Sequence, residues 1–513
     1  MNQSQQTPTK NTARDTAQSS TIDARSKLVI GLLLISTFVV ILNETLMGVA
    51  LPTLIKELHI PPSTAQWLTA AVMLTMAVVI PITGYLLQRF NTRPLFITAM
   101  SLFSLGTLLA IIAPSFDLLL VARVVQASGT GIMLPLLMTT VMTLVPEQTR
   151  GRTMGSISIV ISVAPAIGPT ISGLILYVLD WRWMFAFILP IAIAALVIGT
   201  ILMKNVTEPT HTRVDILSVV LSALGFGGLV YGLSVAGTAK TPFELWIPVG
   251  VGAISLALFI TRQLILQRSN RALLDLRTFG SRQFTLSIVL FAILMPAMFG
   301  AIVLLPIYMV DAIHETTLAT GLTLLPGGLI MGLISPPVGR IYDRFGPTWL
   351  VVAGTVVGSA GLWGMTLLTG SSSIWAVLAC HVTLSIGFGL AMTPLFTTSL
   401  GALRPQLYSH GSAIVGTVQQ LGGAAGTALL VAIMSVGIAS SAASGSNQAA
   451  ATAAGTHSAF IWAAVISLIA IPFAFFIRKP GSPGAERGSA SEIEPNSEEL
   501  ARATSTQLQP DLG

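Results

Sequence analysis

The feature that most restricts what this chain can fold into is its series of apolar runs. Fourteen of them follow one another, at 28–50, 66–87, 95–113, 117–140, 153–178, 183–203, 215–236, 246–266, 283–310, 317–338, 348–368, 373–398, 411–437 and 458–477. About 20 apolar residues suffice for a helix to cross a bilayer. Charged residues make up only 9% of the chain, where a soluble domain carries about 25%. A chain so poor in charge cannot cover a globule with polar surface, so lipid is its solvent. The runs are continuous, which excludes a transmembrane barrel with its short alternating strands. The expected fold is an all-α polytopic membrane protein with fourteen transmembrane helices.

Residues 1–26 are rich in Ser, Thr, Gln and Asn and lack apolar periodicity; they are expected to be a disordered tail, as are residues 480–513. No cleavable signal peptide is expected, because the first run is of full span length. With both tails placed inside, 22 of the 26 Lys and Arg fall on the inner side. Only Lys56, Arg182 and Lys240 lie outside, and Arg123 lies within a span. The positive-inside rule then predicts cytoplasmic termini in a multi-pass protein of the plasma membrane. It also accounts for the formal charge of +6 without a nucleic-acid partner. Cys380 is the only cysteine, which excludes an intrachain disulfide and a CxxC metal site.

The chain repeats. Gly84-Tyr85-Leu86-Leu87-Gln88-Arg89-Phe90 closes the second run, and Gly339-Arg340-Ile341-Tyr342-Asp343-Arg344-Phe345 closes the tenth, 255 residues later. Arg123 and Gly129 correspond to His381 and Gly387 at an offset of 258, and Arg150-Gly151 to His410-Gly411 at 260. The organisation expected is an N-terminal six-helix half (27–205), two inserted helices (206–270) and a C-terminal six-helix half (271–479). Repeated halves around a central site are how many secondary transporters are built.

Five stretches carry further information: Leu42-Asn43-Glu44-Thr45 through Ala50-Leu51-Pro52; Arg123-Val124-Val125-Gln126-Ala127-Ser128-Gly129; Ala164-Pro165-Ala166-Ile167-Gly168-Pro169 through Ser172-Gly173; Trp181-Arg182-Trp183-Met184-Phe185; and the repeated Gly-x-x-x-x-Arg-Phe loop. In this order and at these helix ends they resemble the major facilitator superfamily (MFS), and within it the fourteen-span drug:proton antiporter branch (EmrB/QacA-like), over residues 28–478. The fold that this implies is two six-helix halves with two inserted helices between them.

The resemblance implies roles. The fifth-span motif, here Gly155, Pro165, Gly168, Pro169 and Gly173, is similar to the exporter signature, with Ala164 and Ser172 in place of two of its glycines. The gating loops would be Gly84, Gln88 and Arg89 in the first copy and Gly339, Asp343 and Arg344 in the second. There an acid caps the positive end of a helix in the other half; Asp343 fits, and Arg150-Gly151-Arg152 is its target. Gln88 stands where the first copy's acid belongs, so an asymmetric lock is expected.

The residues themselves single out Glu44. A charge near the centre of a span costs about 2.5–3.5 kcal/mol on insertion scales, and such groups usually face a cavity or a partner. Glu44 lies six residues before Ala50, and Arg123 six residues inside the fourth run, about 9 Å deep. Both are expected to line one polar cavity and couple the proton; a permanent structural salt bridge is the alternative. The family's first-span acid falls at Asn43 here, and moving it to Glu44 rotates it by about 100°. Asn43, Gln126, His381, Gln419 and Gln420 are the candidate substrate-cavity residues, His381 having a packing role as its alternative.

No Walker A, HExxH or GxSxG pattern appears, so neither an ATP-driven pump nor a membrane hydrolase is supported, and no enzyme activity, cofactor or metal is expected. The function implied is export of lipophilic drugs or antibiotics by drug:proton antiport with alternating access. Export of an endogenous lipid or metabolite, and a non-transporting scaffold or receptor, are the alternatives. The expected partners are a small lipophilic substrate, protons and membrane lipids, with a monomer as the unit.

Overall fold

The computed structural model describes residues 23–206, 215–235, 241–269 and 271–480. The expected tails lie outside these residues, apart from 23–26 and Pro480. Fourteen long helices cross the fold: α1 (Ala24–Glu57), α2 (Trp67–Arg89), α3 (Thr92–Ile111), α4 (Phe116–Leu144), α5 (Arg150–Val178), α6 (Arg182–Leu202), α7 (Ile216–Val235), α8 (Pro242–Leu266), α9 (Arg282–Ile307), α10 (Thr317–Phe345), α11 (Thr348–Met365), α12 (Ile374–Gly401), α13 (Tyr408–Ala443) and α14 (Gln448–Ala474). All fourteen are long and apolar enough to span a bilayer, and no strand occurs among the described residues. The protein is a multi-pass membrane protein.

Helix ends follow local chemistry. Ser115, Ser281, Thr316, Ser373 and Asn447 each accept a backbone N–H from the first turn of α4, α9, α10, α12 and α14, which satisfies one of the donors a helix start leaves unpaired. Helix α10 stops at Gly346, whose φ of 82° is left-handed and suits glycine. Several helices outrun their apolar cores. Helix α1 begins inside the expected tail and continues past Ala50 to Glu57, and α13 runs to Ala443 rather than 437.

The pairing of helices shows the repeat directly. Helix α1 packs on α4, α5 and α6, α3 on α4 and α6, and α2 on α4. Eight helices later, α9 packs on α12, α13 and α14, α11 on α12 and α14, and α10 on α12. Between these two six-helix halves, α7 and α8 pair with each other, and α7 also touches α2 and α13. The halves meet along two main seams, α5 with α10 and α2 with α13. An even number of crossings puts the bundle's two ends on one face. That face, also the richer in Lys and Arg, is called the basic face below and its opposite the far face.

Candidate functional site

Glu44 lies twenty residues into α1, about 30 Å along the axis, and thirteen residues before its end at Glu57. The depth counted from Ala50 is therefore corrected: α1 continues because Leu54 is buried and Glu57 accepts a hydrogen bond from Trp181 Nε1 at 2.9 Å. Arg123 lies seven residues into α4, about 10 Å from its start. It is 2% exposed. Its guanidinium donates to Gln126 Oε1 at 2.6 Å, and Gln126 Nε2 donates to Thr107 Oγ1 on α3 at 2.7 Å. Arg123 Nε has no acceptor. Glu44 is partly exposed, and its charge and that of Arg123 act on each other. Yet they form no ion pair: those found among the described residues are Arg150–Glu147, Arg262–Asp215 and Arg277–Asp275. Asn43 is buried and its Oδ1 lacks a donor.

Helix α5 is held on two sides by small residues. A Cβ on Gly155 would lie 2.6 Å from the Ser335 carbonyl oxygen of α10, and one on Gly168 would strike Thr45 of α1. Ala164 is fully buried, and Ser172 Oγ donates to Leu46 O of α1 at 2.9 Å, so both substitutions keep close packing. Pro165 and Pro169 lie within the continuous helix, half-buried. Gly173 departs from the pattern, since nothing lies within 4 Å of its Cβ position.

Contacts between the halves gather toward the basic face. Asp343 accepts Gly151 N at 2.7 Å and Arg152 N at 2.9 Å, at the start of α5. Gly339 and Gly151 are in backbone contact, and Gly332 and Gly328 carry the seam on to Val163 and Ala166. Gly328 and Gly332 were not among the expected residues, although their four-residue spacing on an apolar helix marks a close-packing face. Two further bonds cross between halves: Thr139 Oγ1 with Ser412 Oγ, and Thr393 Oγ1 with Ser158 Oγ, both 2.8 Å. Thr139 to Thr393 and Ser158 to Ser412 are each 254 residues apart, so the same bond is made twice. On the other seam, Gln88 Nε2 donates to Gln406 O at 3.0 Å, a role no carboxylate could fill. Arg89 is half-buried, and Arg344 lies over the Phe345 ring at 5.0 Å. Toward the far face the α5/α10 seam loosens. The Cβ positions of Gly173 and Gly321 meet nothing within 4 Å, and Leu174, Tyr177 and Leu318 are 69%, 89% and 70% exposed. The seam is shut at the basic face.

The inserted pair is tethered by polar groups. Arg262 grips Asp215 in two hydrogen bonds of 2.6 and 2.7 Å, and Ser218 bonds the same carboxylate. These bonds from Arg262 hold the Asp215 carboxyl well below the usual range. Gln263, fully buried, donates to Ser218 Oγ at 2.8 Å and accepts Leu273 N and Leu274 N in the linker to α9. In that linker burial alone would push the Asp275 carboxyl up. Hydrogen bonds from the Arg277 side chain and N–H, with the nearby His410 and Arg277 charges, hold it low instead.

The other four cavity candidates sit against neighbours. His381 is buried with Nε2 3.1 Å from Leu324 O, beneath Gly327 of α10. Gln126 is taken up by Arg123 and Thr107. Gln420 Nε2 reaches Met76 Sδ at 3.5 Å across the α2/α13 seam, and Gln419 is half-buried beside it.

Two repeated six-helix halves, joined at one face by contacts at helix ends and holding a charged pair within the membrane, define a secondary transporter. The family model of the Major Facilitator Superfamily matches residues 33–427, and the chain belongs to that family. It is 42% identical to the MFS-type transporter YcnB of Bacillus subtilis (strain 168), covering 90% of this chain and 97% of that one. It is 40% identical to the lincomycin resistance protein LmrB of the same organism, covering 87% and 95%. The fold is shared with the crystal structure of the human organic anion transporter MFSD10 at a TM-score of 0.63 and 14% identity, over 88% of this chain and 99% of that one.

Proposed function

We propose that this transporter exports lipophilic drugs in exchange for protons, by alternating access, from the cytoplasmic to the outer side of the plasma membrane. The observation that carries this is Glu44. It is an acid within the membrane, partly exposed, felt by a buried Arg123, and locked to it by no ion pair. A structural salt bridge would be closed; this pair is not. Glu44 can therefore gain and lose a proton as the halves alternate, with Arg123 as its counter-charge, and a cationic substrate competes for the same negative site. Arg123 is fixed for that task by Gln126 and Thr107. The basic face is the cytoplasmic one on the positive-inside rule, and the likeness to a lincomycin resistance protein supports a drug as cargo.

The test is efflux from liposomes under an imposed pH gradient, read with a fluorescent lipophilic cation. Glu44→Gln keeps the side chain's shape and should abolish pH-driven exchange while leaving expression intact. Undiminished proton-driven transport by this variant would refute the role.

A further inference from the structure

The first gating loop lacks an acid, yet its seam is covered by something the second seam does not have. The linker from α8 to α9 runs beneath the basic ends of α2 and α13. A Cβ on Gly84 of α2 would lie 3.3 Å from Leu274 Cδ2, 3.3 Å from His410 Nδ1 and 3.2 Å from Ala413 Cβ. So linker, α2 and α13 converge on one glycine. His410 of α13 is 3% exposed and its Nδ1 has no partner. The linker is itself immobilised, because Gln263 accepts two of its N–H groups and Arg277 grips Asp275. Further along the seam α7 touches both halves, with Tyr231 stacked on Trp67 of α2 at 5.6 Å.

We propose that the inserted helices and their linker form a strap that latches the α2/α13 seam at the basic face, with Leu274 of the linker and His410 of α13 meeting at Gly84 of α2 and Asp275 holding the linker in shape through Arg277. The two seams are thus held differently. Asp343 locks α5/α10 from within the repeat, and the linker locks α2/α13 from outside it. The inserted pair is then part of the gate, and opening to the basic face requires the linker to leave Gly84 and His410.

This rests on the alternating-access reading, so the test reads conformation rather than transport. Spin labels at Phe90→Cys and Arg404→Cys, in a Cys380→Ser background in nanodiscs, report the width of the seam by pulsed electron resonance. Asp275→Asn should lower the closed-to-open ratio by roughly three- to ten-fold, the range expected of one partly buried charge contact. His410→Gln should act in the same direction and covers the case in which Asp275→Asn fails to fold. Leu274→Ala, which removes the side chain that meets Gly84, should lower the ratio as well, since it leaves the Asp275–Arg277 pair intact and thins only the contact across the seam. Distances unmoved by Asp275→Asn, His410→Gln and Leu274→Ala overturn the latch. Two wild-type populations that Asp275 does not move sink the latch alone. A single wild-type distance at every pH and ligand concentration sinks alternating access with it.

Discussion

A carboxylate that accepts two backbone N–H groups at the start of a helix is held by their hydrogen bonds and by the helix dipole, and Asp343 is so held by Gly151 and Arg152. Such a contact is worth about 0.3–1 kcal/mol when exposed and up to about 2 when partly buried. Asp343→Asn should therefore move the population toward opening at the basic face, by up to about thirty-fold. Gln88→Asn should move it less, since the Gln88 bond to Gln406 O is neutral. The same spin-label distances, taken across α5 and α10, measure both, and equal small effects would mean the seams are held alike. The repeat aligns the two loops and shows that only one has an acid, while the contact of Asp343 with the start of α5 was an expectation of the family resemblance and not of the repeat. His410 was legible only as the counterpart of Arg150. Nothing in its neighbours shows that a linker some 135 residues away in the chain lies against it, because that depends on how the inserted pair docks.

Helices were legible because lipid permits little else. Backbone groups in hydrocarbon must pair within the segment, and so each apolar run of span length becomes a helix. Their ends and rotations were not. Beyond the hydrocarbon, helix length is set by what the last turns meet, as Glu57 meets Trp181. Which face of α10 carries its glycines to α5 follows from packing that periodicity cannot show on a helix apolar all round. At this scale the polar tether of α7 to α8 carries a dependence on pH. The Asp215 carboxyl titrates below its unfolded value of about 3.9 because Arg262 holds its charged form. Its stabilisation is present above that value and is lost as pH falls through the lower, folded one. Asp215→Asn should lower the unfolding temperature at pH 7, and the gap between variant and wild type should narrow as pH falls below about 4. A gap that persists unchanged in acid would mean that the Asp215 charge does not hold the pair.

For the whole molecule the fourteen crossings and the charge asymmetry combine into one claim about sidedness. If the basic face lies in the cytoplasm, every turn joining an odd-numbered helix to the next faces outward. The turn between α13 and α14 is short, 444–447, far tighter than the span limits 437 and 458 imply, because both helices run beyond their apolar cores. Ser444 is exposed there, and Thr241 is exposed before α8 on the same face. Ser269, after α8, is exposed on the opposite face. In a Cys380→Ser background, Ser444→Cys and Thr241→Cys should react with a membrane-impermeant maleimide on intact cells, and Ser269→Cys only after permeabilisation. Thr241 and Ser269 flank a single helix of the inserted pair, so opposite labelling of the two also proves that α8 crosses. Labelling of neither on intact cells would make the pair a re-entrant hairpin. The strap would then lose its anchorage, and the even count that places both ends of the bundle on one face would rest on the other twelve helices alone. Labelling of Ser269 but not Ser444 on intact cells would invert the protein. Glu44 would then meet the cytoplasm when the far face parts, and the direction of proton flow assigned to it would be reversed.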